Sequence, residues 1–357
     1  MKHGRCVLFA VASLLLAGFM VITNTDLTHS IITAERTRSD THASMVQHVN
    51  DGLRERQRDT GAIYERQRDT SAIYEQRRDD VRRVCAQRYA NVTFGGKFNY
   101  RTQTYADDAH RIAYCAIPKV ASTSWKRILL AVNTAAASPR DDVIVNAERL
   151  DRMAGFNVHR RVMTTGVLRQ LYTLDARAES DVMYDYKKLI FVRHPFSRLL
   201  SAYRDKLDHD DDIGKFEKHR RAIAANAGRA VADGDDRRVT FREFLQYLVD
   251  SEPRLFNEHW ALFAHLCSPC VADYHFVGKY ENMEKESGDF LAAAGIDGAV
   301  KLSGKYLFVS HNDTSAEKLL MRYYGALPRE LVAKVYETYR PDFLMFGYKV
   351  PEFLSAG

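Results

Sequence analysis

At 357 residues, 46% of them apolar, the chain is long enough for one large domain with appendages and apolar enough to build a real core. Its formal net charge of +6 is too weak a basic excess to indicate a nucleic-acid binder. It suits an acidic ligand or an anionic polymer instead.

Lys2, His3 and Arg5 precede an apolar run from Cys6 to Ile22. At ~1.5 Å per residue, that run would reach about 25 Å as a helix. This is short of a ~30 Å hydrocarbon core and suits the thinner membranes of the early secretory pathway. Positive charge ahead of the run predicts a cytoplasmic tail over 1–5, a transmembrane signal anchor over 6–23 and a lumenal body. A cleaved signal peptide is the competing reading, although no clear small-x-small site follows directly. Either way, the body enters the secretory pathway. Asn91-Val92-Thr93 and Asn312-Asp313-Thr314 are glycosylation sequons that fit this compartment.

Residues 24–84 read as a charged stem. Glu55-Arg-Gln-Arg-Asp-Thr-Gly-Ala-Ile-Tyr64 is followed by Glu65-Arg-Gln-Arg-Asp-Thr-Ser-Ala-Ile-Tyr74 and a decayed copy from Glu75. A ten-residue period turns roughly 1000° around a helix, so Ile63 and Ile73 fall about 80° apart and no sustained heptad seam forms. The stem is expected to hold the following domain off the membrane, as helix or as disordered chain. The alternative is a weak dimerising helix that pairs copies into a homo-oligomer.

The globular domain is expected over 85–357. Arg111 to Ile117 reads as a strand, and Thr123 to Thr134 as a helix with Trp125, Ile128, Leu129 and Val132 on one face. Lys188 to Val192 is a second strand. The helix after it, Phe196 to Leu207, carries Phe196, Leu199, Leu200, Tyr203 and Leu207 on one face. Thr240 with Glu243, and Thr314 with Glu317, form capping-box patterns ahead of apolar runs. His275 to Gly278 reads as a short strand, and a last helix starts at Pro328 and ends near Arg340-Pro341. Strand–loop–helix units in this order predict an α/β sheet with helices on both faces. Cys85, Cys115, Cys267 and Cys270 are an even set that an oxidising lumen would pair into two disulfides, with three connectivities open. Cys267 and Cys270 lack a second CxxC or a histidine pair, so no metal is expected.

Two segments carry the chemistry. In Pro118-Lys119-Val120-Ala121-Ser122-Thr123-Ser124 a strand runs into a lysine-bearing loop of small hydroxyl residues and then a helix N-terminus, which together make an anion site. It lacks the glycines of the Walker pattern, which argues against an ordinary ATP or GTP loop. In Phe191-Val192-Arg193-His194-Pro195-Phe196-Ser197-Arg198-Leu199-Leu200-Ser201 a buried strand ends in a basic residue just before a helix. Arg193 offers a planar fork suited to phosphate, and Ser201 shares a helix face with Ser197. Two such sites suggest one ligand with phosphates at both ends.

These segments resemble the 5′-phosphosulfate and 3′-phosphate elements of sulfotransferases. They are most similar to the Golgi carbohydrate sulfotransferase family that contains the chondroitin and dermatan 4-O-sulfotransferases. Phe256-Asn-Glu-His-Trp260, Cys267-Ser-Pro-Cys270, Phe276-Val-Gly-Lys-Tyr-Glu281 and Asp342-Phe-Leu-Met-Phe346 extend the resemblance across about 85–351. It implies a P-loop-like parallel sheet flanked by helices, the sulfotransferase fold, and a single-pass type II Golgi membrane protein with a lumenal catalytic domain. The implied donor is 3′-phosphoadenosine 5′-phosphosulfate (PAPS), and the implied acceptor an anionic glycan or glycosaminoglycan, with the GalNAc 4-hydroxyl of chondroitin-type chains foremost. Pro118 to Ser124 would wrap the 5′-phosphosulfate, Arg193 and Ser201 would hold the 3′-phosphate, and Lys119 would stabilise the leaving phosphate.

His159, in Phe156-Asn-Val-His-Arg160, is the first candidate for the general base, and its position resembles that of a family histidine. Glu258 and His259 are the second. Arg160 and Arg161 could pair with acceptor anions, and Trp260 could stack on a sugar, although a core position is the commoner fate of tryptophan. The sequence departs from the family pattern at Ser122 (usually cysteine), Ser124 (often asparagine) and His194 (usually acidic). Two other classes compete: a lumenal phosphotransferase, disfavoured by the missing glycines and Mg²⁺ carboxylates, and a non-catalytic glycan-binding protein that kept the fold.

Overall fold

The computed structural model describes residues 71–136, 158–208, 213–229, 238–297 and 313–352. The expected signal anchor, residues 24–70 of the stem and Asn312 lie outside these residues. Among the described residues no helix is long and apolar enough to cross a membrane.

Helix α1 covers residues 71–88, the end of the second repeat and the decayed third copy. The short α2 (Tyr100–Gln103) leads into β1 (Thr104–Asp107), β2 (Ile112–Cys115) and α3 (Ser122–Ala136). Then come α4 (Val158–Thr165), β3 (Arg169–Gln170), α5 (Ala176–Asp185), β4 (Lys187–Val192), α6 (Pro195–Lys206) and α7 (Ile213–Asn226). The remainder is α8 (Phe241–Asp250), α9 (Phe263–Cys267), α10 (Pro269–Ala272), β5 (Phe276–Lys279), α11 (Met283–Ala294), α12 (Asp313–Tyr324) and α13 (Arg329–Met345).

The five strands form one sheet in the order β3-β1-β2-β4-β5. Strands β2, β4 and β5 are parallel, with Cys115 opposite Ile190 and Val192 opposite Lys279. The parallel sheet expected from the resemblance is seen in these three strands, and the sheet as a whole is mixed: β1 runs antiparallel to β2, and β3 antiparallel to β1. The reason is connection length. Only residues 108–111 join β1 to β2, with Arg111 at φ 52°, and so short a link can close a hairpin but not a parallel crossover.

The predicted apolar faces are buried. Trp125, Ile128 and Leu129 on α3 are fully enclosed, as are Phe196, Leu199 and Leu207 at α6. Trp125 stacks on Phe191 of β4 at 5.2 Å and meets Phe290 of α11 edge-on at 5.5 Å. A Cβ at Gly278 would lie 2.2 Å from the Phe191 ring, so glycine is what lets β5 lie against β4 here. Thr240 and Glu243 form the predicted capping box at α8. Element boundaries differ from expectation by a few residues, most notably at two helices. Helix α12 already begins at Asp313, which puts Thr314 inside it. Helix α13 continues through Pro341 to Met345, because burial of Phe343 and Met345 outweighs the hydrogen bond a proline removes.

The end of the stem segment is helical and docked. Tyr74 stacks on Phe276 at 3.9 Å and donates to Asp289 Oδ2 at 2.7 Å. Arg77 forms a two-pronged ion pair with Glu286 (2.8 and 2.9 Å) and also donates to the Val277 carbonyl. The disulfide Cys85–Cys270 pins α1 to α10, and Cys115–Cys267 joins the end of β2 to α9. Asn91, just beyond α1, is exposed.

Candidate active site

The loop expected to bind an anion is built where β2 stops. Residues 116–121 cross from the sheet to α3, with Val120 buried as an anchor. Lys119 (φ 71°) and Ala121 (φ 60°) both sit in the left-handed region. That conformation costs a non-glycine residue roughly 1–2 kcal/mol. Turns of this kind gather backbone N–H groups into an anion-binding concavity. The loop therefore adopts a glycine-like path without glycines. The Trp125 N–H donates to the Ala121 carbonyl (3.1 Å), and Ser122 and Thr123 sit at the positive helix end.

A cleft of about 360 Å³ opens over this loop. Pro118, Lys119, Ala121, Ser122 and Thr123 line it, together with Arg193 and Ser201 from the second segment. Val120 faces the core instead, and Ser124 is not part of the lining. Although 74 positions separate them, Arg193 Nη1 donates to the Lys119 carbonyl at 3.2 Å. The Arg193 guanidinium lies over the Tyr280 ring, 4.2 Å from its centre, and burial pushes its pKa down. Beside it, Glu281 accepts the His194 backbone N–H at 2.8 Å, while His194 Nε2 donates to the Lys349 carbonyl.

Positive charge dominates the cleft. Lys119 Nζ pairs with Asp205 Oδ2 at 3.0 Å, and Lys206 Nζ reaches the same oxygen at 3.1 Å. Burial nevertheless holds Lys119 below the usual lysine range, against the pull of Asp205. Burial alone would raise Asp205, but the two lysines hold it below its ordinary value. Lys126 is pushed down to about 8 by burial, opposed by Glu258, and its Nζ donates to Tyr105 Oη at 3.1 Å. Cations destabilised by burial are the condition under which a bound polyanion gains most.

Beneath the cleft, Arg198 is buried on α6. It donates from Nε to the Pro118 carbonyl (3.0 Å), from Nη1 to Ala261 (2.6 Å) and from Nη2 to Glu258 (2.9 Å). This clamps the anion loop to the 257–261 turn, which presents Glu258 and His259 to the cleft. The turn is also held from behind. The buried Asp342 carboxylate accepts the N–H groups of Phe263 (2.7 Å) and Ala264 (3.0 Å), and the Asp342-Phe-Leu-Met-Phe346 motif thereby caps α9.

Several lining residues escaped sequence reasoning. Lys126 lies four residues after Ser122, and Asp205 four after Ser201, so helical periodicity alone could have placed each on the cleft face. Gln103 comes from a distant element and carried no such signal, whereas Tyr280 lies in the Phe276–Glu281 motif, to which no site role was assigned. Trp260 is a core residue, packed against Phe244 and His219 rather than open to a sugar. His159 lies on α4, with its side chain outside what is described, as is that of Arg161. Arg160 is exposed. Among the described residues no group of three or more His, Cys, Asp or Glu side chains is arranged to hold a metal ion.

Residues 102–349 match the model of the sulfotransferase family. Carbohydrate sulfotransferase 11 of Rattus norvegicus is 31% identical over 259 residues, covering 70% of this chain and 68% of the relative. Carbohydrate sulfotransferase 14 of Homo sapiens is 35% identical over 252 residues (68% and 59% covered), and carbohydrate sulfotransferase 8 of Mus musculus is 32% identical over 263 (70% and 57%). No solved structure gives a significant match. With the match running from α2 past the end of α13, and with such relatives, the chain belongs to the sulfotransferase family, as a carbohydrate O-sulfotransferase.

Proposed function

We propose that the cleft binds PAPS and directs its sulfuryl group to a hydroxyl of an anionic glycan, foremost the GalNAc 4-hydroxyl of chondroitin or dermatan chains. The observation that carries this reading is the meeting of Lys119 and Arg193. Two basic anchors, each in the connection that follows a parallel strand, face one cleft and touch through a backbone carbonyl. The donor set fits the ligand: a left-handed loop and helix N-terminus for a phosphosulfate, and a planar guanidinium with a serine hydroxyl for a terminal phosphate. When bound, PAPS supplies an activated sulfuryl group on a phosphate leaving group.

The protein's part is positioning and charge. Lys119 would leave Asp205 and meet the negative charge growing on the departing phosphate oxygen. Ser122 and Thr123 would hydrogen-bond the phosphosulfate, while Arg193 and Ser201 fix the far phosphate and so the donor's direction. The basic lining favours an acceptor that carries carboxylates or sulfates. The expected setting is the Golgi lumen, with the apolar N-terminal run as anchor and the stem as the place where copies could associate.

The test is transfer of labelled sulfate from PAPS by the full-length chain in detergent, against a panel of desulfated chondroitin, dermatan and unrelated glycans. Sulfate at the GalNAc 4-position supports the whole reading, and another position or glycan corrects only the acceptor. Nucleotide binding without transfer to any glycan would instead indicate a binding protein.

A further inference from the structure

Removing the proton from the acceptor hydroxyl requires a base, and the 257–260 turn brings two side chains to the cleft, Glu258 and His259. Their surroundings differ. Glu258 Oε2 accepts from Gln103 Nε2 at 3.3 Å, and its charge acts on Lys126 and Tyr105. His259 instead lies in the field of Lys206, Arg198, Lys119 and Asp205, the groups around the lysine assigned to the leaving phosphate.

The ring of His259 is also held in one tautomer. Asn257 Oδ1 accepts the His259 backbone N–H at 3.0 Å, which only the oxygen of that amide can do, so the amide's orientation is settled. The same oxygen lies 2.7 Å from His259 Nδ1. Nδ1 must therefore carry the ring proton, and the lone pair of the neutral imidazole is on Nε2. Phe216 of α7 meets the ring edge-on at 5.4 Å and limits its rotation.

We infer that Nε2 of His259 is the general base of sulfuryl transfer, and that Asn257 is the positioning residue that keeps it unprotonated. The inference rests on the function proposed above. Nε2 takes the hydroxyl proton as the sugar oxygen bonds to sulfur. The electron pair of the broken sulfur–oxygen bond stays on the 5′-phosphate, beside Lys119. Burial, then Lys206, Arg198 and Lys119, hold His259 down to about 3. A bound polyanion offsets those cations and strengthens the base when it is needed.

The experiment uses the full chain labelled with ¹⁵N-histidine and needs no turnover for its first readout. The His259 ring signals, identified by their loss in His259→Gln, should show the Nδ1-protonated form, and Asn257→Ala should move them towards the Nε2-protonated form. In kinetics, His259→Gln should lower kcat about 100-fold or more, with 3′-phosphoadenosine 5′-phosphate still bound. Asn257→Ala should lower kcat with little change in acceptor KM. Asn257→Asp should restore most of it and move the acid limb of the kcat profile to higher pH. If His259→Gln fails to hold the nucleotide, the two Asn257 variants and the ring signals decide. An Nε2-protonated ring in the wild type overturns the inference. So does near-normal kcat in His259→Gln, or loss of turnover only in His159→Ala, with the proposed function left standing. A wild type that transfers sulfate to no glycan overturns both.

Discussion

Arg198 Nε donates to the Pro118 carbonyl across 3.0 Å, and the other arms of the same guanidinium hold Ala261 and Glu258. One buried side chain thus sets the spacing between the anion loop and the turn that carries His259. Burial lowers its pKa to about 10, which still leaves it charged at neutral pH.

Arg198→Ala would leave three backbone carbonyls without their donor. Each unsatisfied group costs about 1–3 kcal/mol, so a loss of roughly 3–5 kcal/mol in unfolding free energy is expected. Arg198→Lys should recover only part of it, because an ammonium cannot reproduce the fork. Urea unfolding of the full chain measures both variants. A loss below about 1 kcal/mol for Arg198→Ala would remove the clamp from the account.

Lys119 and Arg193 should fail differently. Lys119→Ala should chiefly lower kcat, by about 10²–10³-fold if the lysine acts on charge that appears only in the transition state. Arg193→Ala should chiefly weaken nucleotide binding, by about 10–100-fold for a lost charge-assisted contact of ~1.5–3 kcal/mol. Steady-state kinetics with calorimetric titration of 3′-phosphoadenosine 5′-phosphate separate the two, and an identical pattern in both variants would contradict the assignment.

Asp205 pairs with Lys119 at 3.0 Å and is itself half exposed. Asp205→Asn removes a carboxylate that competes with the ligand for that lysine. Affinity for 3′-phosphoadenosine 5′-phosphate should rise several-fold at low ionic strength, and the gain should shrink in salt. Weaker binding in Asp205→Asn would mean that the carboxylate organises the site.

Burial raises Asp342 to about 7, against an ordinary carboxylate value of 3.8. Between those limits the folded chain keeps a proton that the unfolded chain releases. This group's contribution to stability therefore falls as pH rises from about 4 to about 7, by at most about 1.4 kcal/mol per pH unit. The stability of wild type minus that of Asp342→Asn should decline across this window. Denaturant unfolding at several pH values would show it, and a flat difference would place the ionisation outside the window.

The two disulfides should differ in access. Cys115 and Cys267 are both fully buried, whereas Cys270 is partly exposed. Under mild reduction of the native protein, alkylation should appear first at Cys85 and Cys270. Mass spectrometry of the labelled peptides reads the order, and early labelling of Cys115 would contradict the packing.

Local chemistry made much of this protein legible from its residues alone. The apolar faces of α3 and α6, the capping box at Thr240 and the succession of strand, lysine-bearing loop and helix around Lys119 all depend on neighbours within a turn or two, and such neighbours are written in order along the chain. The antiparallel β1 and β3, the pairing of the cysteines, the docking of Tyr74 and Arg77, and the assembly of the cleft from Gln103, Lys126, Asp205, His259 and Tyr280 were decided only by the tertiary structure. Each depends on which surfaces meet when the sheet closes, and burial and charge at those meetings belong to pairs of residues far apart in sequence. Lys119 shows both sides. Its place in a strand-to-helix loop follows from the residues around it, whereas its partner Asp205, its contact with Arg193 and its depressed pKa arise only where two segments far apart in sequence converge.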